Sequence, residues 1–326
     1  WHSKSPITDY NKERSRFFSE YGFQSFPEFE SIKIYAPKKE DWDIYSEVMM
    51  SHQRGGAHAN GLIEAYLLNE YRKPKNFQAF LYMNHVLQGD AIKTAIEAHR
   101  RDMPYCMGTL FWQHNDCWPV ASWASRDYYG RWKAQHYYTR DAYRDILVSP
   151  LAEDGKLNVY VISDRLKPCT ATLEVQVMKF NGEVINSYKK NVKAAANTSS
   201  KVFIADVENM LKGTPKEDVF IHATLTVKGS EPYTNNYYLV KQKELNYPKT
   251  RISHSVKPIN GGFEVTLSSD KFARAAFMSI KGIDNFFENN YFDILPGQSV
   301  TTKVTTKLSQ KEFEKQLKVV SLSDEY

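Results

Sequence analysis

The spacing of apolar positions changes near Pro150. Before it the period is helical: residues 41 to 54, 60 to 73, 77 to 101 and 130 to 147 repeat apolar side chains at three- and four-residue steps. In the third run Phe77, Phe80, Leu81, Leu87, Ala91, Ala95 and Ile96 trace one stripe along a helix face. Two short runs among these helices, RFFSEY at 16 to 21 and MGTLFWQ at 107 to 113, are too apolar to face water and read as buried strands. Helices alternating with buried strands predict an α/β unit with a parallel sheet.

After Pro150 the period becomes two. LNVYVIS, TATLEVQVMKF, EVINSYKKNV, KVFIADV, VFIHATLTV and NNYYLVKQ alternate apolar and polar residues and are separated by turns such as FNGE and VKGSEP. So many short strands in so little chain predict an immunoglobulin-like sandwich. LNYPKTRIS, at 245 to 253, marks a second boundary, and GGFEVTLSS, ARAAFMSIKG, SVTTKVTT and QLKVVSLS predict a smaller sandwich beyond it. The expected division is therefore an α/β region over 1 to 149, one sandwich over 150 to 247 and another over 248 to 326.

Composition narrows the function classes. A chain of 326 residues, 42% hydrophobic and 25% charged, is ordinary globular protein long enough for several cores. The net charge of +5 comes from scattered Lys and Arg with no basic stripe, which argues against nucleic acid. No apolar run has the length of a membrane span. Cys106, Cys117 and Cys169 cannot build a disulfide framework, and His114, Asp116 and Cys117 lack metal-ligand spacing, so no metal or other cofactor is expected. The chain opens on Trp1-His2-Ser3 without an initiator Met and reads as the middle of a longer polypeptide, so its lack of a leader says nothing about compartment. The aromatic share, 14%, is high: rings with polar handles suit sugar stacking, although most will fill cores.

Chemistry is expected where strands end, because loops at that face of an α/β barrel form the site. Glu20 closes the first apolar run, where surrounding rings would leave it partly desolvated. The second run ends at Trp112-Gln113 and opens into a loop dense in Trp118, Trp123, Tyr128, Tyr129 and Trp132. These rings must pack against the protein or a ligand.

RFFSEYGFQSFPEF and GTLFWQHNDCWPVASWASRDYYGRWKA together closely resemble two signature regions of the β-mannosidases of glycoside hydrolase family 2. The first is similar to the segment around that family's nucleophile on the seventh strand of a (β/α)8 TIM barrel. The second is similar to its eighth strand and the loop beyond. The resemblance implies the C-terminal portion of a TIM barrel followed by two immunoglobulin-like β-sandwich domains. It also implies an exo-acting retaining glycosidase that hydrolyses terminal non-reducing β-D-mannose residues by a two-carboxylate mechanism. Glu20 takes the nucleophile's place and must be ionised to attack. Trp112 becomes the apolar wall beneath the sugar, Asn115 and Asp116 are candidates to line the site, and Trp1 and His2 stand where an upstream loop would reach the pocket. An Asn-Asp pair such as Asn115-Asp116 in a loop is more often turn chemistry than part of a site.

One part of the pattern is missing. The family's acid/base is the Glu of an Asn-Glu pair upstream of the nucleophile, whereas Asn69-Glu70 here lies downstream and within a helical run, where Glu70 reads as a solvated helix residue. The chain is thus expected to carry the nucleophile without the acid/base, to need the upstream N-terminal portion of the same enzyme as its partner, and to be inactive alone. Its substrate class would be a β-mannoside oligosaccharide or glycan, and the family's habits favour an extracytoplasmic setting. Two alternatives stay open: another family 2 specificity (β-galactosidase, β-glucuronidase or exo-glucosaminidase), and a non-catalytic carbohydrate-binding fragment using the aromatics of NNYYLV (235 to 240) or DNFFENNYF (284 to 292).

Overall fold

A computed structural model describes residues 5 to 282 and 285 to 326. Trp1 and His2, two of the candidate residues, lie outside the described residues, as does Asp284 in the second aromatic stretch.

The first region holds helices α1 (Phe29–Tyr35), α2 (Glu47–Ser51), α3 (Ala59–Glu70), α4 (Phe77–Arg101) and α5 (Ala134–Ala142). α4 covers the whole run expected from its periodicity and starts at Asn76, whose side chain accepts from the Ala79 amide. The run at 41 to 54 is helical only over α2, capped by Ser46; ahead of it a 3-10 turn ends at Asp41 and residues 42 to 46 form turns. α4 is buried nearly all round, so its polar residues must find internal partners. Gly89 on this helix leaves room for Tyr138: a Cβ there would stand 2.7 Å from the ring.

The two predicted buried strands lie side by side. Met107 N–H donates to Arg16 O, Phe18 N–H to Gly108 O, Leu110 N–H to Phe18 O and Trp112 N–H to Tyr21 O, at 2.7–3.0 Å. This is a parallel ladder with a single bridge, Phe18 to Thr109, and no barrel closes among the described residues. One face packs on the helices, where Phe18 stacks on His99 with centroids 3.5 Å apart. The other leaves Phe17, Met107 and Leu110 each more than half exposed, so the expectation that both runs are buried holds for one face only. The physical reason is that two strands can be covered on one side by α4, while the other side requires further strands.

Both sandwiches are antiparallel throughout. The first pairs the sheet β1-β2-β5 (Ile146–Glu153, Lys156–Ser163, Thr198–Asp206) with β4-β3-β6-β7, where β3 is Cys169–Lys179, β4 Val184–Ala194, β6 Val219–Val227 and β7 Tyr233–Tyr237. Its strand β1 begins ahead of Pro150, inside the run expected to be helical: the proline sits within a strand that pairs with β2 alone. Helix α6 (Val207–Leu211) follows β5. The second sandwich pairs β11-β13-β9-β8 (Phe286–Phe287, Ser299–Thr305, Gly262–Ser269, Ile252–Ile259) with β12-β10-β14 (Phe292–Ile294, Ala273–Ser279, Lys318–Val320). Helix α7 (Gln310–Gln316), closed by a Ser309–Glu312 capping box, precedes β14.

Each sandwich has its own apolar core, and the second also packs on α4: Ala275, Tyr291 and Leu322 belong to the same buried cluster as the helices. Arg274 anchors this junction. It ion-pairs with Asp90 of α4 at 2.6 Å and with Asp293 of β12 at 2.9 Å, while Asn236 and Tyr238 of the first sandwich region donate to the same Asp293. Glu70 is corrected here. It is 5% exposed at the end of α3, burial pushes its carboxyl up, and Lys241 lies 3.9 Å away, because the segment after β7 folds across the helix end.

Candidate active site

The ladder brings Glu20 and Trp112 to the same end of neighbouring parallel segments, since the Trp112 amide donates to the carbonyl of Tyr21 at 2.7 Å. Glu20 is exposed, and its side chain makes no hydrogen bond or ion pair among the described residues, so the expected partial desolvation among rings is not found. The physical reason is the uncovered face: the rings that follow it turn away. Tyr21 is 4% exposed, receives a hydrogen bond from Thr109 Oγ1 at 2.8 Å and has its phenol pushed up by burial. The Trp112 ring is 40% exposed, and the Trp112–Gln113 peptide is cis.

The chain after Glu20 is held by one face of α4. Asn84 Oδ1 accepts from the Phe26 amide at 3.0 Å, and His85 Nε2 meets Phe26 O at 2.7 Å. Gln88 donates to Phe23 O at 2.8 Å and accepts from Ser25 Oγ at 2.6 Å. Burial lowers His85 to about 3, so it stays neutral and bridges onward to Tyr291 Oη at 3.1 Å. These residues follow helical spacing, but in the sequence they are indistinguishable from surface polar positions on an amphipathic helix.

Asn115 and Asp116 lie in the loop beyond Trp112, with their backbone held by the pairing of Asn115 to Arg126. Together with His114, Arg126, Tyr128 and Tyr129 they line an open cavity of about 370 Å³, which Glu20 and Trp112 do not line. The Asp116 carboxylate is buried, accepting from Gln113 Nε2 at 3.1 Å and Ser122 Oγ at 2.9 Å; burial pushes it up, opposed by Lys133. Asn115 is exposed and donates to Asp116 O at 3.3 Å. Behind the loop Lys133 is 1% exposed and donates to Ser25 Oγ at 2.8 Å. Burial lowers it to about 8 against the pull of Asp116 and Asp127. Lys133 thus ties the loop after Trp112 to the turn after Glu20. The sequence offers little sign of this: Lys133 is one of two bases, with Arg131, that flank Trp132.

The loop's rings are mostly spent on packing. Trp123 is 9% exposed, Trp118 lies against His52, and Trp132 packs on His136, Tyr137 and Phe286. The aromatic stretches of the sandwiches are likewise occupied: Tyr291 is fully buried, Tyr238 bonds Asp293, and Tyr237 Oη receives the Ala152 amide. Among the described residues no cluster of His, Cys, Asp and Glu could hold a metal, and no helix is long and apolar enough to cross a membrane. The three thiols are unpaired.

An exposed carboxylate and an indole thus stand at one end of a helix-backed parallel ladder, with two immunoglobulin-like sandwiches following in the chain. Residues 155 to 244 match the family described as a mannosidase Ig/CBM-like domain, and residues 247 to 325 match an Ig-fold domain. The chain resembles the C-terminal part of a family 2 β-mannosidase. It is 26% identical to a β-mannosidase of Capra hircus over 96% of its length and 28% identical to β-mannosidase A of Aspergillus niger over 87%. It spans 38% and 34% of those relatives' own lengths. The crystal structure of a β-D-mannosidase from Dictyoglomus thermophilum superposes on 98% of this chain at a TM-score of 0.88 and 26% identity, using 39% of that chain. An exo-chitosanase from Amycolatopsis orientalis shares the fold at a TM-score of 0.75 and 13% identity, covering 98% of this chain and 44% of its own.

Proposed function

We propose that this chain is the C-terminal portion of an exo-acting retaining β-mannosidase and carries the nucleophile without the acid/base. In this reading residues 1 to 149 end a (β/α)8 barrel whose last two strands are the ladder, and residues 150 to 247 and 248 to 326 are accessory sandwiches. The observation that carries it is the placement of Glu20 and Trp112 at one end of adjacent parallel segments, since barrel chemistry gathers at strand ends. The uncovered face of Phe17, Met107 and Leu110 fits an upstream portion of the barrel as its cover.

Glu20 then attacks the anomeric carbon of a terminal β-mannosyl unit as the bond to the leaving oxygen breaks, giving a covalent glycosyl-enzyme. An acid on the upstream portion protonates the departing oxygen and afterwards deprotonates the water that releases mannose. Trp112 supplies an apolar wall for the sugar's C–H face. Asn115, Asp116, Trp1 and His2 are lesser candidates for the rim; with its carboxylate already satisfied by Gln113 and Ser122, Asp116 serves as a staple of the loop.

The test is to trap the complete enzyme with a 2-fluoro mannosyl fluoride and map the labelled peptide. Label on Glu20 is expected, and label on any other residue refutes the assignment. A panel of nitrophenyl glycosides separates β-mannosidase from β-galactosidase, β-glucuronidase and exo-glucosaminidase.

A further inference from the structure

A second cavity, of about 650 Å³, lies at one end of the outer sheet of the second sandwich. Strand β8 starts, β9 ends and β13 starts at this end, which brings Arg251, Asp270 and Gln298 together around it. Among the described residues neither the Arg251 guanidinium nor the Asp270 carboxylate has a hydrogen-bond or ion-pair partner. Ser269 also borders the cavity; it is 5% exposed and continues the core-facing row of Phe263, Val265 and Leu267 along β9.

The strand register extends this cavity into a hydroxyl surface. Ser253, Ser268 and Ser299 stand opposite one another across three strands, and Ser255, Thr266 and Thr301 form the next row on the same solvent-facing side. Only beyond these does the face become charged, with Lys257, Glu264 and Lys303. Neighbouring hydroxyls therefore sit roughly 5 Å apart across the sheet, about the length of one pyranose unit. Thr266 and Thr301 bond each other at 2.8 Å, whereas the serine row nearest the cavity makes no such bond.

We propose that this surface binds a neutral oligosaccharide. The site offers a fixed donor in Arg251, a fixed acceptor in Asp270 and a row of hydroxyls that do either, which matches a ligand whose every group both donates and accepts. The opposed charges and the acceptor-only carboxylate disfavour a phosphate or other anion. The volume suits a short chain of sugars, and with no ring to stack upon the binding rests on hydrogen bonds alone, so its affinity is low-millimolar. The site uses none of the residues assigned to the active site.

Isothermal titration of the full chain with β-1,4-mannohexaose, cellohexaose and inorganic phosphate, each alone, tests this. At least one hexaose is expected to bind, with Arg251→Ala and Asp270→Ala each weakening it by roughly tenfold, the loss of one good hydrogen bond or two. Lys303→Ala should leave it unchanged. If either charge variant melts early, Ser268→Val, which keeps strand propensity, repeats the test. The proposal is overturned if neither hexaose binds, if binding survives the replacements, or if phosphate binds as tightly as the sugars. Labelling at Glu20 bears on it in neither direction.

Discussion

The ladder at residues 16 to 21 and 107 to 113 and the outer sheet of the second sandwich are both short-stranded, yet they differ in what covers them. In the sandwich each strand turns one face to a core the domain closes itself: Phe263, Val265 and Leu267 are buried beneath Glu264, Thr266 and Ser268. In the ladder Phe18 is packed on α4 while Phe17 and Leu110 remain open to solvent. A sandwich supplies both of its layers within one stretch of chain, whereas a parallel sheet buries both faces only once other strands and helices arrive. The proposed chemistry sits on the half-covered element, and the self-closed ones pack behind it.

The largest effect expected from that contrast is chemical. Glu20→Gln in the complete enzyme should lower kcat by about a thousandfold or more, with melting unchanged because the side chain is exposed and unbonded; a loss under tenfold would remove Glu20 from the reaction. Within the second sandwich Leu267→Ala opens a cavity in a closed core and should cost about 2–5 kcal/mol in urea unfolding of this chain.

Lys133 gives a pH test of the link between the two candidate segments. Its folded value of about 8 lies below the ordinary 10.5, so between these the unfolded chain binds more protons and stability rises with pH. Subtracting the Lys133→Met profile from the parent's should reveal a gain on the order of 3 kcal/mol across that window, complete above it and absent below about pH 8. A flat difference would show that the amine is not held in a buried site. The smallest effect should come from the open face, where Leu110→Ala changes the stability of this chain by roughly 0.5 kcal/mol or less. The same change should weaken association with the upstream portion of the enzyme, and a large loss in the isolated chain would mean that the ladder is already covered.

Much of the architecture was legible in local pattern. The period of α4 ran its full length, and β6 coincides with the alternating run VFIHATLTV, because each element lies along a continuous core, α4 in the helical region and β6 in the first sandwich. Where pattern misled, a longer-range contact decided. β1 was hidden behind a helical reading since Pro150 suggested a break, and β8 was absorbed into a boundary because its mostly exposed residues show little alternation. The short strands β11 and β12 exist through pairing with distant partners alone.

The sequence by itself marked out the candidates for chemistry, Glu20 and Trp112 among them, through the two motifs around them, and where helical period gives way to strand. Only the tertiary structure decided how those residues are held: by Asn84, His85 and Gln88 from one helix, by Lys133 from the far loop, and by Arg274 fastening both sandwiches to that helix. The reason is physical. A polar side chain's role follows from which partner meets it when water leaves, and such partners lie far apart along the chain, where local spacing carries no trace of them.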